Sequence, residues 1–288
     1  MDFFEENIDA KTKISSLSMG SEKGIPTIAI HGWLDNALSF GKVGPLLNSL
    51  NIKALDMPGH GHSEHRCKDA QYNFIDWLPD IFEVADYLNF ENFGLIGHSM
   101  GGGIASLVAG CIPDRVKFLV LIDGLGPQTS KPEELPQRVV NKFLAARKQQ
   151  TRAQRSYESV EQAVATRMMA GKFVSEDSIV EMVERHLEKI AGKYFWTYDE
   201  KLKLPSIFRF SQEQVGAFLK NIKCPILIIR AKSGLPVVEK ELAPMLSLIP
   251  HAEIVELEGY HHLHMDTPIP VAKIINEFIA KLKTPPSN

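Results

Sequence analysis

The stretch LIGHSMGGG, residues 95–103, places one serine between two close glycines where an apolar run gives way to a helical pattern. Phe93–Ile96 reads as a buried strand and Ile104–Gly110 as the body of a helix. Glycine weakens both elements, so a tight corner must require it. Gly97 and Gly101 stand two residues before and two after Ser99. That is the G-x-S-x-G spacing of a nucleophile elbow, in which small residues let the strand-to-helix turn close and hold the serine hydroxyl clear of the sheet. Two rival readings fail on spacing. A dinucleotide fingerprint needs G-x-G-x-x-G, but from Gly97 the second position is Ser99, and from Gly101 the third is Ser106. A phosphate loop needs a Lys-Ser or Lys-Thr pair after its glycines, and none follows.

Outward from this corner, short apolar runs alternate with amphipathic ones. Pro26–Ile30, Ile52–Leu55, Val116–Ile122, Pro225–Ile229 and Ala252–Leu257 read as strands, nearly continuous in apolar residues, as a parallel sheet covered on both faces requires. Asn73–Leu88 and Ile269–Leu282 carry helical stripes, with Pro79 marking a start or kink in the first. The alternation points to a doubly wound α/β sheet. Lys11–Met19 alternates weakly and suggests an edge hairpin with the segment before Pro26. From Pro127 to Gln214 the rhythm stops. Glu133–Gln149, Ser159–Met169 and Ser175–Ile190 all have helical spacing, and no strand is expected. Residues 127–214 therefore read as an all-helical cap (lid) over a core built from residues 1–126 and 215–288. The tail Thr284–Asn288 reads as frayed.

Composition narrows the function classes. The apolar fraction of 44% is that of an ordinary globular chain, and a net charge of −3 offers no basic field for nucleic acid. Cys67, Cys111 and Cys224 are odd in number and far apart, which argues against a disulfide framework or a zinc knuckle; Cys111 and Cys224 read as core filler. No run approaches membrane-spanning length, and the acidic N-terminus does not read as a secretory signal, so a cytoplasmic location is expected.

A serine hydroxyl is a weak nucleophile that needs a base, a group to orient that base, and donors for the oxyanion. Donors are sought first in His31-Gly32-Trp33, directly after a strand, where the Trp33 N–H is a candidate; the ring itself suits a core or rim position. The second candidate is the N–H of Met100, where the start of a helix favours negative charge. The last strand runs into Gly259-Tyr260-His261-His262-Leu263-His264-Met265-Asp266-Thr267-Pro268, a loop with three of the ten histidines. No Cys, Asp or Glu cluster with recognisable ligand spacing accompanies them, so no metal site is expected. For the acid, Asp123 ends the strand after the elbow strand, whereas Lys232-Ser233-Gly234 follows the next strand and no carboxylate occurs there before Glu239. Asp123 is the better candidate; a helix cap is its alternative role.

Five separated pieces, HGWLDNALSF (31–40), DMPGHGHS (56–63), LIGHSMGGG (95–103), LVLIDGLGP (119–127) and GYHHLHMDTP (259–268), resemble the α/β-hydrolase superfamily and, within it, the serine-hydrolase-like, esterase-type group. The resemblance implies a mostly parallel eight-stranded sheet flanked by helices, with a helical cap inserted after the sixth strand. It implies Ser99 as nucleophile, Trp33 and Met100 as oxyanion positions, and, through the register of Asp266 and Pro268, His261 as base with His262 as fallback. Many members carry the acid after the seventh strand and some after the sixth, the place of Asp123. Members that are dehalogenases or epoxide hydrolases have Asp where Ser99 stands. The expected activity is hydrolysis of a small-molecule carboxylic ester or thioester through an acyl-enzyme, with no cofactor. The same triad serves carbon–carbon bond hydrolysis, acyl transfer and perhydrolysis, and a non-catalytic binding protein on the scaffold would lack a triad member.

Overall fold

A computed structural model describes residues 3–151, 153–169, 174–234 and 243–283; Glu239 and the tail Thr284–Asn288 lie outside them. Eight strands form one sheet in the order β1-β2-β4-β3-β5-β6-β9-β10. They are β1 (Phe4–Asp9), β2 (Lys13–Gly20), β3 (Ile25–Ile30), β4 (Leu50–Leu55), β5 (Phe93–His98), β6 (Val116–Ile122), β9 (Ile226–Ser233) and β10 (Glu253–Tyr260). From β4 to β10 every neighbouring pair is parallel. The edge hairpin exists, but β2 pairs with β1 upstream and β4 on its other side, not with the segment before Pro26.

Alternation along the strands splits the core in two. On β6, Leu119 and Leu121 face a cluster with Ile104, Leu107 and Val108 of helix α2 (Met100–Cys111) and Ile81 and Val84 of α1 (Trp77–Tyr87). Phe118, Val120 and Ile122 face the other side, against Val271, Ile275 and Phe278 of the last helix, Pro268–Lys283. A sheet buried on both faces needs such strands. Pro79 lies in the first turn of α1, where its missing N–H costs no helical bond.

Between β6 and β9 run helices α3 (Leu135–Gln150), α4 (Val160–Met169), α5 (Glu176–Glu184) and α6 (Gln212–Lys220). The insertion is not all-helical. Helix α5 ends at Glu184, and Leu187–Ile190 (β7) pairs antiparallel with Lys193–Trp196 (β8). The turn between them places Ala191 and Gly192 at positive φ, 49° and 84°. No helix among the described residues is long and apolar enough to cross a membrane. Cys224 is buried as expected, but Cys111, on the last turn of α2, is exposed.

Candidate active site

The site lies at the carboxyl ends of the parallel strands, where α/β sheets place their ligands. Ser99 follows β5 with φ 51° and ψ −113°, a conformation that strains any residue with a side chain. The glycines make that corner possible. A Cβ on Gly97 would collide with the Gly101 carbonyl, and one on Gly101 with the carbonyl of Ile30 at the end of β3. Helix α2 thus starts directly behind the serine and against the neighbouring strand.

Asp123 follows β6 and His261 follows β10. Both are buried, and His261 Nδ1–H donates to Asp123 Oδ2 at 2.5 Å. The second carboxylate oxygen accepts the Ala231 N–H of β9 at 3.2 Å. A Cβ added to Gly234, just past the end of β9, would stand 2.6 Å from Asp123 Oδ2. The space just past the end of β9 is therefore filled by the carboxylate arriving from β6. Two contacts bring this pair to the serine. Gly124 lies against the Ser99 backbone, where an added Cβ would come within 2.6 Å of the Ser99 carbonyl oxygen. His98, the neighbour of Ser99, donates from Nε2 to the His261 carbonyl at 3.0 Å, with the two rings 4.7 Å apart.

His262 turns elsewhere: its Nε2–H donates to Asp35 Oδ2 at 3.1 Å. Arg167 of α4 reaches Asp35 Oδ1 at 3.1 Å, and His98 Nδ1 lies 3.7 Å from Oδ2. Burial alone would raise the Asp35 carboxyl's pKa, but His262, Arg167 and His98 hold it well below the usual carboxylate range. Sequence spacing missed this group, because the acid that accompanies the histidine loop comes from the loop after β3. Asp35, His98 and His262 bring three ligand-type atoms within 4.8 Å of one another. The Arg167 guanidinium and the His262 N–H already balance the carboxylate charge, so the arrangement reads as an ion-paired clamp. It ties the loop after β3, the end of β5, the loop after β10 and helix α4 together. Replacing Asp35 by Asn should lower unfolding stability by about 3 kcal/mol, since Arg167 loses its buried partner. Urea denaturation at pH 7 measures this, and a change below about 0.5 kcal/mol, the scatter of surface substitutions, would show the clamp to be incidental.

Trp33 and Met100 both border a cavity of about 500 Å³ that opens on Ser99. Trp77 and Phe74 wall it from the core, Phe208 and Phe210 from the insertion. The Trp33 ring is half-exposed and its indole N–H donates to the Leu202 carbonyl of the insertion at 3.3 Å. Arg209 also lines this cavity, whereas Met168 and Arg167 do not. A larger cavity of about 1130 Å³ lies between α3 and the β7–β8 hairpin, but none of Ser99, Asp123 and His261 lines it.

The chain matches the family model of the alpha/beta hydrolase fold over residues 26–268. It belongs to the α/β-hydrolase family. Its relatives place this α/β-hydrolase in the serine-hydrolase-like group. A serine hydrolase-like protein of Danio rerio is 30% identical over 278 residues, covering 90% of this chain and 83% of that protein. A probable serine hydrolase of Drosophila melanogaster is 33% identical over 273 residues, covering 90% and 82%. A crystal structure of a hypothetical protein from Pseudomonas aeruginosa PAO1 superposes with a TM-score of 0.90 at 36% identity, over 97% of this chain and 99% of that one. The α/β-hydrolase resemblance read from the five sequence pieces holds, and so does the mostly parallel eight-stranded sheet.

Proposed function

We propose that this α/β-hydrolase cleaves a carboxylic ester or thioester of an apolar acyl group through an acyl-enzyme on Ser99. The reading rests above all on the 2.5 Å bond from His261 Nδ1 to buried Asp123. A carboxylate on Nδ1 fixes the tautomer that leaves Nε2 as the proton acceptor. The Ser99 hydroxyl attacks the acyl carbon as its proton passes to His261, and the leaving alcohol or thiol takes that proton as the acyl–oxygen or acyl–sulfur bond breaks. Water, deprotonated by the same nitrogen, then releases the acid. The backbone N–H groups of Trp33 and Met100 serve the tetrahedral oxyanion, the second from the start of α2. The aromatic walls of the 500 Å³ cavity accept the acyl group, and residues 127–214 act as the cap over a core of residues 1–126 and 215–288.

A fluorophosphonate probe should label the protein at Ser99, and an ester and thioester series of graded chain length should show turnover. Absence of both labelling and turnover would exclude the reading and favour a binding protein on the same scaffold.

A further inference from the structure

Helix α3 is oriented against the usual rule. An amphipathic helix turns its apolar stripe to the protein, yet no residue of α3 is buried. Its protein-facing side is polar: Arg138 donates to the Ser206 and Ile207 carbonyls at 2.7 and 3.2 Å, and Gln149 to the Glu200 carbonyl at 2.7 Å. Its apolar side faces out. Leu135, Val139, Val140, Phe143 and Leu144 are each between 45% and 58% exposed, and they fall on one side of the helix. The charge here is also unlike the rest of the chain. Residues 131–155 carry seven Lys or Arg and two Glu, in a protein whose net charge is −3, and no acid occurs within α3 itself. Exposed Arg147 lies over the Phe143 ring, 5.8 Å from its centroid, next to exposed Lys148.

We propose that the outer face of α3 docks on an anionic lipid surface. Such a surface answers both features at once: the interfacial layer covers the apolar side chains, and the headgroups pair with the flanking cations. A second copy of the chain fits less well. A two-fold contact through this face would bring together two copies of a segment with seven Lys or Arg and only Glu133 and Glu134 to pair them, which leaves excess cations on both sides. The docking also has a place in the molecule. Arg138 holds Ser206, which with Phe208 lines the cavity at Ser99, so α3 rests on that cavity's wall. The docking does not depend on the chemistry proposed at Ser99.

Sedimentation of the full chain with phosphatidylcholine vesicles, with and without phosphatidylglycerol, tests this. At low ionic strength the partition coefficient should be about tenfold or more higher on the anionic vesicles and should fall as salt is added. The double variant Phe143→Ser, Leu144→Ser should bind about tenfold more weakly. Both side chains are more than half-exposed, so its melting temperature should match the wild type. Arg147→Glu, Lys148→Glu provides an independent second variant with the same expected loss. Wild-type protein that ignores anionic vesicles, or a double variant that binds them as well as wild type, would overturn the proposal. So would a wild-type dimer in solution that the double variant converts to monomer, since a second copy would then cover the face.

Discussion

Ser99→Ala should lower turnover of an activated ester by about 10⁵-fold or more, the scale seen when a triad nucleophile is removed. The cavity, the helix start at Met100 and the Trp33 loop are untouched by that change, so substrate binding should survive while acylation stops. Asp123→Asn should cost about 10⁴-fold in kcat with the fold intact, because an amide in place of the carboxylate no longer fixes the His261 tautomer. Adding it to Ser99→Ala should cost little more, as groups that act as one unit are not additive. His262→Gln should be far milder than His261→Gln, since His262 is bound to Asp35 and not to Asp123. A Ser99→Ala variant with wild-type turnover, after contaminating esterases are excluded, would sink the nucleophile assignment. A harmless Asp123→Asn would show that the acid has been misplaced.

What the sequence disclosed follows from how local each signal is. The elbow was legible because its constraint is short-range: Gly97 and Gly101 exist to let backbone approach backbone. Asp123 was legible as a candidate because it ends a strand, whereas after Lys232-Ser233-Gly234 no carboxylate occurs before Glu239. The choice of His261 over His262 needed the resemblance, since adjacent residues on one loop look alike until their partners at positions 123 and 35 are placed. The clamp of Asp35, His98, Arg167 and His262 was hidden for the same reason; its members come from four distant segments with no spacing between them to read. The β7–β8 hairpin was lost to an ambiguity of period. Leu187 and Ile190 stand three apart, which suits the last turn of a helix, and a four-residue strand is too short to contradict it. Strand β1 was missed because an edge strand needs few apolar residues: of FEENID only Ile8 is buried.

Stability should fall on acidification well before the carboxylates titrate. Histidines 31, 60, 98, 186 and 264 are all buried, and burial lowers the pKa of each, pushing His186 and His264 down to about 3. Neighbouring histidines press His98 and His264 further in the same direction. Neither ring nitrogen of His264 has a hydrogen-bond partner among the described residues, and its ring lies 5.2 Å from that of Phe40. In the unfolded chain these imidazoles take a proton near pH 6.5. Between that value and the folded pKa the unfolded state binds more protons than the native state, so stability rises with pH there and is lost as pH falls. By pH 5 His186 and His264, held down to about 3 in the folded protein, should each have withdrawn about 2 kcal/mol, together about 4 kcal/mol from a total typically of about 5–15 kcal/mol. The lowered carboxyls of Asp35 and Asp56 contribute a loss of their own only below about pH 4. Urea unfolding from pH 7.5 to 5 measures the slope, and His264→Phe should reduce it by one proton's worth, about 1.4 kcal/mol per pH unit. A stability that stays flat over that range would mean that these imidazoles are protonated in the native state, and the packing described around His98 and His264 would then be wrong.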